Sequence, residues 1–359
     1  MRHRIRFAAA VSGIALVAAA AATTLSGETA YAAQVRLLET GSSLLYPLFN
    51  LWIPAYQKAN PGAQITTQST GSGTGISEAI SGIAQIGASD AYLSNAQMKS
   101  NPDILNIPLA ISSQMINYNV PGLNKQHLKL SGPVLAGIYQ GKVKYWDDPA
   151  IAKINPGVKL PHDVIVPVHR TDGSGDTFIF TQYLSFSTPD WANSLAYGTT
   201  VSWPAVQGGI GAVGNPGMVN ATKGTPYSIA YIGISFRNAT QSAGLGEAAL
   251  ENKDGKFVLA NDTTVSAAVS EMASKTPSDE RVSLIFAPGP QSYPIINYEY
   301  AIIKKKQPNA DTAKALRAFL TWAINPKKGS ASHFMKSVGF VALPEPIVKL
   351  SMKQINQIQ

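Results

Sequence analysis

The stretch IVPVHRTDGSGDT (residues 165–177) indicates which class of fold this chain adopts. Its apolar start, Ile165–Val168, predicts a buried strand that ends at His169-Arg170. A loop rich in glycine and serine follows, and Thr177–Leu184 then has the pattern of a helix. A strand, a loop and a helix in this order predict an α/β protein, in which helices pack on a sheet.

A second stretch repeats this order nearer the N-terminus. Ala63–Ser69 alternates between polar and apolar residues like a strand, and TGSGTG (residues 70–75) has the composition of a loop. A helix is predicted next, because the apolar residues between Ile76 and Ile83 share one face. The short strand Ile86–Ser89 then leads to Asp90.

Both glycine-rich loops have the features of an anion site. Glycines allow backbone N–H groups to turn toward a bound group, and a helix N-terminus adds unpaired N–H donors and a partial positive charge. One such loop alone is more often an ordinary turn with a Ser or Thr cap. Two of them, with Arg170 at the mouth of the second, favour a site for a small tetrahedral anion. Neither loop has the lysine of a Walker phosphate loop or the glycine spacing of a dinucleotide-binding loop.

The remaining pattern predicts further elements around these loops. Ser43–Tyr56 has a helical pattern that Pro54 is expected to kink or end. The glycine-rich stretch Val206–Gly217 predicts loop and turn. Pro294–Ile303 predicts a strand, and apolar residues between Leu316 and Ile324 recur at helical spacing.

Composition excludes several classes of function. The 359 residues include no cysteine, which excludes disulfides, zinc–thiolate sites and thiol catalysis. The net charge of +8 favours an anionic ligand, but the basic residues are scattered, so no nucleic-acid partner is predicted. The histidines show no metal-binding spacing, and Ser174 lacks the nucleophile elbow of α/β-hydrolases. We therefore predict no metal, no cofactor and no catalytic residue.

The N-terminus has the pattern of a cleaved export signal. Three arginines within the first six residues precede the apolar stretch Phe7–Ala22, and Ala30-Tyr31-Ala32 supplies the small residues of a cleavage site. A membrane anchor is the alternative, but this alanine-rich stretch is shorter and less apolar than a spanning helix requires. We expect residues 1–32 to be removed and the mature protein to be soluble outside the cytoplasm.

Five short motifs occur in order along nearly the whole mature chain. They are Thr40-Gly41-Ser42-Ser43, Gly71-Ser72-Gly73, Gly87-Ala88-Ser89-Asp90, Arg170-Thr171-Asp172-Gly173-Ser174-Gly175 and Gly339-Phe340-Val341-Ala342-Leu343-Pro344. Through this ordered set the chain resembles the phosphate-binding proteins of bacterial Pst-type ABC importers. Each motif alone is weak, whereas the set is specific.

The resemblance implies a phosphate site and assigns its residues. Ser43 and Ser72 stand where the family has hydroxyl donors, and Leu44 stands where a backbone N–H contributes. Asp90 matches a carboxylate that accepts a hydrogen bond from the phosphate hydroxyl. Arg170 matches the cationic ligand, and Asp172 matches the carboxylate that holds it. Ser174 and Gly175 match the two donors at the second helix N-terminus.

Position 176 departs from the family pattern, because the family commonly has threonine there and this chain has Asp176. One interpretation is that Asp176 faces solvent in the first helical turn and stabilises the helix dipole. The other is that its carboxylate approaches the ligand and accepts a second hydrogen bond. Asp90 and Asp172 also have alternatives that involve no ligand. Asp90 could cap a turn, and Asp172 could be an ordinary carboxylate at the start of a helix.

The fold expected from the resemblance is the two-lobed, type II periplasmic-binding-protein fold, with the ligand in the cleft between lobes. Lobe 1 is predicted to comprise residues 33–112 and 290–359, and lobe 2 residues 113–289. The predicted function is capture of inorganic phosphate and its delivery to the membrane permease of an ABC importer. The alternatives are a binding protein for sulfate or molybdate and, in another class, an exported phosphatase. We expect a monomer in the periplasm, with secretion into the medium as the alternative location.

Overall fold

The computed structural model describes residues 35–359, so the predicted export signal and its cleavage site lie outside the described residues. Strands and helices alternate along the chain. The strands are β1 Val35–Gly41, β2 Ala63–Ser69, β3 Ile86–Ser89, β4 Ile104–Asn119, β5 Lys129–Leu130, β6 Val166–Arg170, β7 Ile210–Ala212, β8 Ser228–Gly233, β9 Gly246–Glu247, β10 Ala249–Glu251, β11 Phe257–Val258 and β12 Ile296–Lys304.

Thirteen α-helices connect these strands within residues 35–359. They are α1 Tyr46–Ala59, α2 Ser72–Ser81, α3 Asn95–Ser100, α4 Gly132–Tyr139, α5 Pro149–Ile154, α6 Gly175–Ser187, α7 Pro189–Ser194, α8 Gly214–Gly224, α9 Arg237–Ser242, α10 Asp262–Met272, α11 Ala310–Ala323, α12 Ser332–Ser337 and α13 Glu345–Ile355. None of them is both long enough and apolar enough to cross a membrane.

Most strands belong to one nine-stranded sheet in the order β2-β1-β3-β12-β4-β8-β6-β7, with β9 also paired to β4. The pairs β1/β2, β1/β3, β6/β8 and β6/β7 are parallel, whereas β12 runs antiparallel to both β3 and β4. A smaller sheet contains β11, β10 and β5. The mixed α/β architecture predicted from the sequence is therefore present.

The longest strand, β4, belongs to both halves of the large sheet. Its first part, Ile104–Ser113, pairs with β12, and its second part, Gln114–Asn119, pairs with β8. Every residue of β4 except Asn119 is buried, which agrees with a strand covered on both faces. The change of partner falls where the sequence predicts the first crossing between lobes, and the lobe boundaries stay a prediction.

The parallel strands carry the predicted site residues at their carboxyl ends. Ser43 follows β1, and Asp90 follows β3, which pairs with β1 in parallel. Arg170 is the last residue of β6. In α/β sheets, ligands bind outside the carboxyl ends of the strands, so this arrangement places the residues where a site is expected.

The first helix differs from its prediction at both ends. It begins at Tyr46 rather than Ser43 and continues through Pro54 to Ala59. Pro54 lies on the exposed side of α1, whereas Trp52 and Tyr56 are buried and pack edge-on against Phe319 of α11. The packing of these aromatic rings stabilises the helix beyond the proline, so the prediction that Pro54 ends it is wrong.

The glycine-rich stretch 206–217 also differs from its prediction as loop and turn. It contains β7, which pairs in parallel with β6 so that Ile210 lies beside Val168 and Ala212 beside Arg170. Helix α8 then begins at Gly214. Pairing with a strand that is distant in sequence outweighs the weak local strand preference of glycine.

Candidate functional site

Arg170 lies at the centre of a buried ion-pair network. Its side chain is 1% exposed, and its Nε donates to Oδ1 of Asp172 at 2.7 Å. Its Nη2 donates to the second oxygen of Asp172, and its Nη1 donates to Oδ2 of Asp176 at 2.8 Å. The pair between Arg170 and Asp172 that the resemblance implies is thus present, and Asp176 provides a second carboxylate.

Asp176 is buried, with only 1% of its surface exposed. Besides Arg170, its carboxylate accepts hydrogen bonds from Nε2 of Gln114 at 3.0 Å and from Nδ2 of Asn215 at 2.7 Å. The interpretation of Asp176 as a solvent-facing residue is therefore wrong. Helix α6 packs its first turn against the polar middle of β4, which turns the side chain inward.

Asn215 connects this network to Ser43. Its backbone N–H and its Nδ2 both donate to Oγ of Ser43, at 3.1 and 3.0 Å, while its Oδ1 accepts from the N–H of Gly233 at 2.8 Å. Leu44, the next residue after Ser43, is fully buried, and its N–H donates to Oγ of Ser42 at 3.1 Å. The strand end after β1 is therefore fixed to both α8 and β8.

Asp90 is the second buried carboxylate of the site and is surrounded by serine hydroxyls. Ser42 donates from its Oγ to Oδ1 of Asp90. The backbone N–H of Asp90 donates to Oγ of Ser72 at 3.2 Å, and the Ser72 hydroxyl lies 3.5 Å from Oδ2 of Asp90. Asp90 is 2% exposed and Ser72 is fully buried.

The start of α6 approaches Asp90 so closely that it requires a glycine. A Cβ atom at Gly175 would lie 2.3 Å from Oδ2 of Asp90 and 2.5 Å from Oγ of Ser72. Ser174 caps the helix, since its Oγ accepts the N–H of Thr177 at 3.1 Å. The positive end of the α6 dipole is thus directed at the Asp90 carboxylate.

The two glycine-rich loops also contact each other. The N–H of Gly73 donates to the carbonyl of Gly173 at 2.8 Å. Together with the contacts of Asn215, Asp90 and Gly175 described above, this hydrogen bond connects the parts of the chain that carry the nine predicted site residues. The geometry unites residues from four separate parts of the chain.

Burial and like charges dominate the electrostatics of the site. Burial raises the pKa of Asp90 well above its ordinary value, and the nearby carboxylates of Glu299 and Asp176 raise it further. Burial also raises the pKa of Asp176, although the charge of Arg170 opposes this. Despite partial burial, the hydrogen bonds and charge of Arg170 lower the pKa of Asp172. Burial by itself would lower the pKa of Arg170, but its two carboxylate partners raise it above its ordinary value.

Four residues of the site were not predicted from the sequence: Ser42, Gln114, Asn215 and Glu299. Gln114 ends the Ser112-Ser113-Gln114 run, which interrupts the otherwise mostly apolar strand β4. Polar residues in a fully buried strand need partners, and this run was an available signal. Asn215 and Glu299 offered no comparable signal, because their roles depend on neighbours that are distant in sequence.

The chemistry of the site is that of an oxyanion receptor with both donors and acceptors. Hydroxyl groups, a helix N-terminus and Arg170 supply donors, and Asp90 supplies a buried acceptor. Among residues 35–359, no group of three histidine, aspartate or glutamate side chains is arranged to hold a metal ion. A receptor of this composition suits an oxyanion that still carries a proton.

Comparison with known proteins identifies the family. The sequence model described as a PBP superfamily domain matches residues 18–327. Over 338 residues the chain is 36% identical to the "Phosphate-binding protein PstS" of Methanocaldococcus jannaschii, covering 89% of this chain and 85% of that protein. The chain belongs to the PstS phosphate-binding proteins of the PBP superfamily. The "Phosphate-binding protein PstS" of Pasteurella multocida is 34% identical over 309 residues and covers 86% of both chains.

Solved structures of phosphate-binding proteins have the same fold. The structure of "a high affinity periplasmic phosphate-binding protein" bound with phosphate has a TM-score of 0.68 and 21% identity, over 89% of this chain and 93% of that chain. The phosphate-binding protein from Stenotrophomonas maltophilia has a TM-score of 0.69 and 19% identity over the same shares. The predicted type II periplasmic-binding-protein fold is therefore confirmed.

Proposed function

We propose that this protein captures inorganic phosphate and delivers it to the membrane permease of an ABC importer. The observation that carries this proposal is Asp90, a buried acceptor carboxylate placed among the hydroxyl of Ser72, the start of α6 and the buried Arg170 network. Phosphate near neutral pH has both oxygens to accept hydrogen bonds and a hydroxyl to donate one. The names of the family members support the same ligand.

The phosphate-contacting residues are proposed to be the nine predicted from the sequence. Ser43, Ser72, Ser174 and Gly175 would supply hydroxyl or backbone N–H donors, and Leu44 would add its N–H by releasing Oγ of Ser42. Arg170 would supply the cation, held by Asp172. Asp90 and Asp176 are the two acceptors. No covalent step belongs to this function, since the family consists of substrate-binding proteins. The protein is proposed to act as a monomer outside the cytoplasm, in the periplasm or released into the medium.

Sulfate and molybdate are the alternative oxyanions, and Asp90 argues against both. A fully deprotonated oxyanion would meet the Asp90 carboxylate lone pair to lone pair. Leaving such buried groups mismatched discriminates between ligands by orders of magnitude. The exported phosphatase is the alternative from another class, and it requires turnover of a phosphate ester.

Calorimetric titration at pH 7 with phosphate, arsenate and sulfate tests the proposal. We expect phosphate to bind at least about a hundredfold more tightly than sulfate, because only phosphate donates a proton to Asp90. Asp90→Asn replaces one acceptor oxygen by a donor and should narrow this ratio, whereas the exposed Asp190→Asn should leave it unchanged. Equal affinities for sulfate and phosphate in the wild type, or steady release of nitrophenol from nitrophenyl phosphate, would refute the proposal.

A further inference from the structure

Helix α8 begins beside the proposed phosphate site, and its first N–H groups bond to two of the site residues. The N–H of Gly214 donates to Oδ1 of Asp172 at 3.2 Å, and the N–H of Asn215 donates to Oγ of Ser43 at 3.1 Å. The next residue, Pro216, has no N–H. The N–H groups of this helix start are therefore bonded to side chains of the site rather than left free for an anion.

The side chain of Asn215 is fully buried, and both ends of its amide have partners. Nδ2 donates to Oγ of Ser43 at 3.0 Å and to Oδ2 of Asp176 at 2.7 Å, while Oδ1 accepts the N–H of Gly233 at 2.8 Å. The reverse orientation of the amide would place its oxygen against the Asp176 carboxylate and its NH2 group against the Gly233 N–H. The neighbours of Asn215 thus fix the amide with its donors toward Ser43.

These contacts determine which hydrogen bonds the Ser43 hydroxyl can still make. A hydroxyl group has two lone pairs and one proton, and both lone pairs of Ser43 Oγ receive hydrogen bonds from Asn215. Ser43 is 2% exposed, and no acceptor within residues 35–359 bonds to its hydroxyl proton. Buried polar groups are normally hydrogen-bonded, so this proton requires an acceptor that the described residues do not supply.

Ser42, the preceding residue, has the same arrangement with its acceptor present. Its Oγ accepts the N–H groups of Leu44 and Leu45 at 3.1 and 3.0 Å. Its proton is donated to Oδ1 of Asp90. In this site, a serine whose two lone pairs are filled by N–H donors therefore gives its proton to a carboxylate oxygen. By the same arrangement, Ser43 suits an anionic oxygen of a ligand.

We propose that Asn215 is a positioning residue that holds Ser43 as a donor, so that an unprotonated oxygen of phosphate faces Ser43. The inference rests on the proposed function, and Asn215 acts through Ser43 without touching phosphate. Because both lone pairs of Ser43 are occupied, a protonated phosphate oxygen would find no acceptor there. The phosphate hydroxyl is thereby directed to the acceptor Asp90.

A double-mutant cycle tests whether Asn215 acts through Ser43. Phosphate affinity is measured by calorimetry at pH 7 for the wild type, Ser43→Ala, Asn215→Ala and the double variant. Each single substitution should weaken binding at least about tenfold, because it removes either the hydrogen bond to a charged ligand or the contacts that orient it. In the Asn215→Ala background, Ser43→Ala should weaken binding by less than about threefold, because the hydroxyl is no longer held as a donor.

Asn215→Asp provides a second cycle in which the size of the side chain hardly changes. A carboxylate oxygen replaces Nδ2, so the Ser43 hydroxyl should donate to this new acceptor instead of to phosphate. Ser43→Ala should therefore again weaken binding by less than about threefold in the Asn215→Asp background. A residue that merely fills space would leave the cost of Ser43→Ala the same as in the wild type.

Asn155→Ala is the control for the loss of a buried amide. Asn155 is 5% exposed, and its Oδ1 accepts the N–H of Lys129 at 2.8 Å. Its Nδ2 donates to the carbonyls of Lys129 and Ile151 at 2.9 and 3.0 Å, so no site residue is among these partners. Asn155→Ala should lower the midpoint of urea unfolding, but it should leave unchanged both phosphate affinity and the cost of Ser43→Ala.

The results also separate this inference from the proposed function. Wild-type affinity in Ser43→Ala or in Asn215→Ala would refute the role of Asn215. An equal cost of Ser43→Ala in the wild type and in the Asn215 variants would refute it as well. In each of these cases phosphate binding by the wild type still supports the proposed function, whereas absence of that binding would refute the proposed function itself.

Discussion

Asp176 occupies donors that a bound anion could otherwise use. Its carboxylate accepts from Arg170, Gln114 and Asn215, and it stands where the family commonly has threonine. A threonine hydroxyl could donate to a phosphate oxygen and would leave Nη1 of Arg170 free to do the same. We therefore expect the aspartate to lower the affinity for a doubly charged anion more than for a singly charged one.

Asp176→Thr is expected to bind phosphate about tenfold more tightly at pH 8, equivalent to about 1.4 kcal/mol. This gain in affinity should shrink as the pH falls. Because the pKa of Asp176 is raised, the wild-type carboxylate becomes neutral at a higher pH than an ordinary aspartate does. Calorimetric titration of both proteins between pH 5.5 and 8.5 measures the two curves.

Asp262→Thr is the matched control for this change. Asp262 is also an aspartate in the first turn of a helix, α10, but it is exposed. Its substitution should change only the helix-dipole contribution and leave phosphate affinity unaltered. Identical affinities of Asp176→Thr and the wild type across the pH range would contradict the competition for donors.

For single residues, the sequence predicts roles that depend on neighbours in the same motif. It misses roles that depend on residues distant in the chain. Arg170 and Asp172 are two residues apart, so their pairing follows from a short motif. Glu299 and Asp90 come together only because β12 lies beside β3 in the sheet. The inward direction of Asp176 likewise depends on Gln114 and Asn215, which reach it from β4 and α8.

At the scale of elements, α1 contains two prolines in different positions. Pro47 lies in the first turn, where its missing N–H would have no partner within the helix. Pro54 lies in the interior and leaves the carbonyl of Asn50 without its usual N–H donor. The aromatic packing of Trp52 and Tyr56 against α11 maintains the helix despite this loss.

Pro54→Ala is expected to raise the free energy of unfolding by about 1–2 kcal/mol. Proline costs up to about 3 kcal/mol relative to alanine in a helix interior, through the lost hydrogen bond and the clash of its ring with the preceding turn. The greater freedom of the unfolded alanine chain offsets about 0.4–1 kcal/mol of this gain. Pro47→Ala should change stability by less than about 0.5 kcal/mol. Urea unfolding curves of the three proteins provide the comparison, and equal effects of the two substitutions would show that position in the helix is not the cause.

Elements with a strong periodic pattern are predicted well, whereas elements formed by pairing are not. The helix around Leu316–Ile324 and the strand Pro294–Ile303 agree closely with α11 and β12. By contrast, β7 lies in a glycine-rich stretch with no strand pattern and exists because β6 supplies its hydrogen bonds. The local sequence therefore does not indicate that such a partner strand exists.

At the scale of the whole molecule, three buried glutamates link stability to pH. Burial raises the pKa of Glu39 and of Glu280 to about 8, and that of Glu299 to about 7. The folded state therefore holds protons that the unfolded chain, with an ordinary glutamate pKa near 4.5, has already released. Stability from this source is fully present below about pH 4.5 and is lost as the pH rises through about 8.

The free energy of unfolding in phosphate-free buffer should consequently fall between pH 5.5 and 9. Glu39→Gln removes one of the three ionisations and should make this decline shallower. The exposed Glu345, whose pKa Lys349 lowers, provides the control, because Glu345→Gln should leave the slope unchanged in this range. Urea midpoints at several pH values measure the slopes, and a stability that rises with pH would contradict the assignment of protonated glutamates.

The place of β12 in the sheet has a consequence for the order of folding. β12 separates β3 from β4 and pairs with both, although about half of the chain lies between β4 and β12. Because the N-terminal part of the chain is synthesised first, β1, β2 and β3 can associate early. One edge of β3 then has no native neighbour until β12 has been synthesised. Contacts between such distant segments are formed slowly and leave strand edges open to wrong partners. We therefore expect the middle of the sheet to be completed last, with the edge of β3 open to wrong partners until β12 pairs with it.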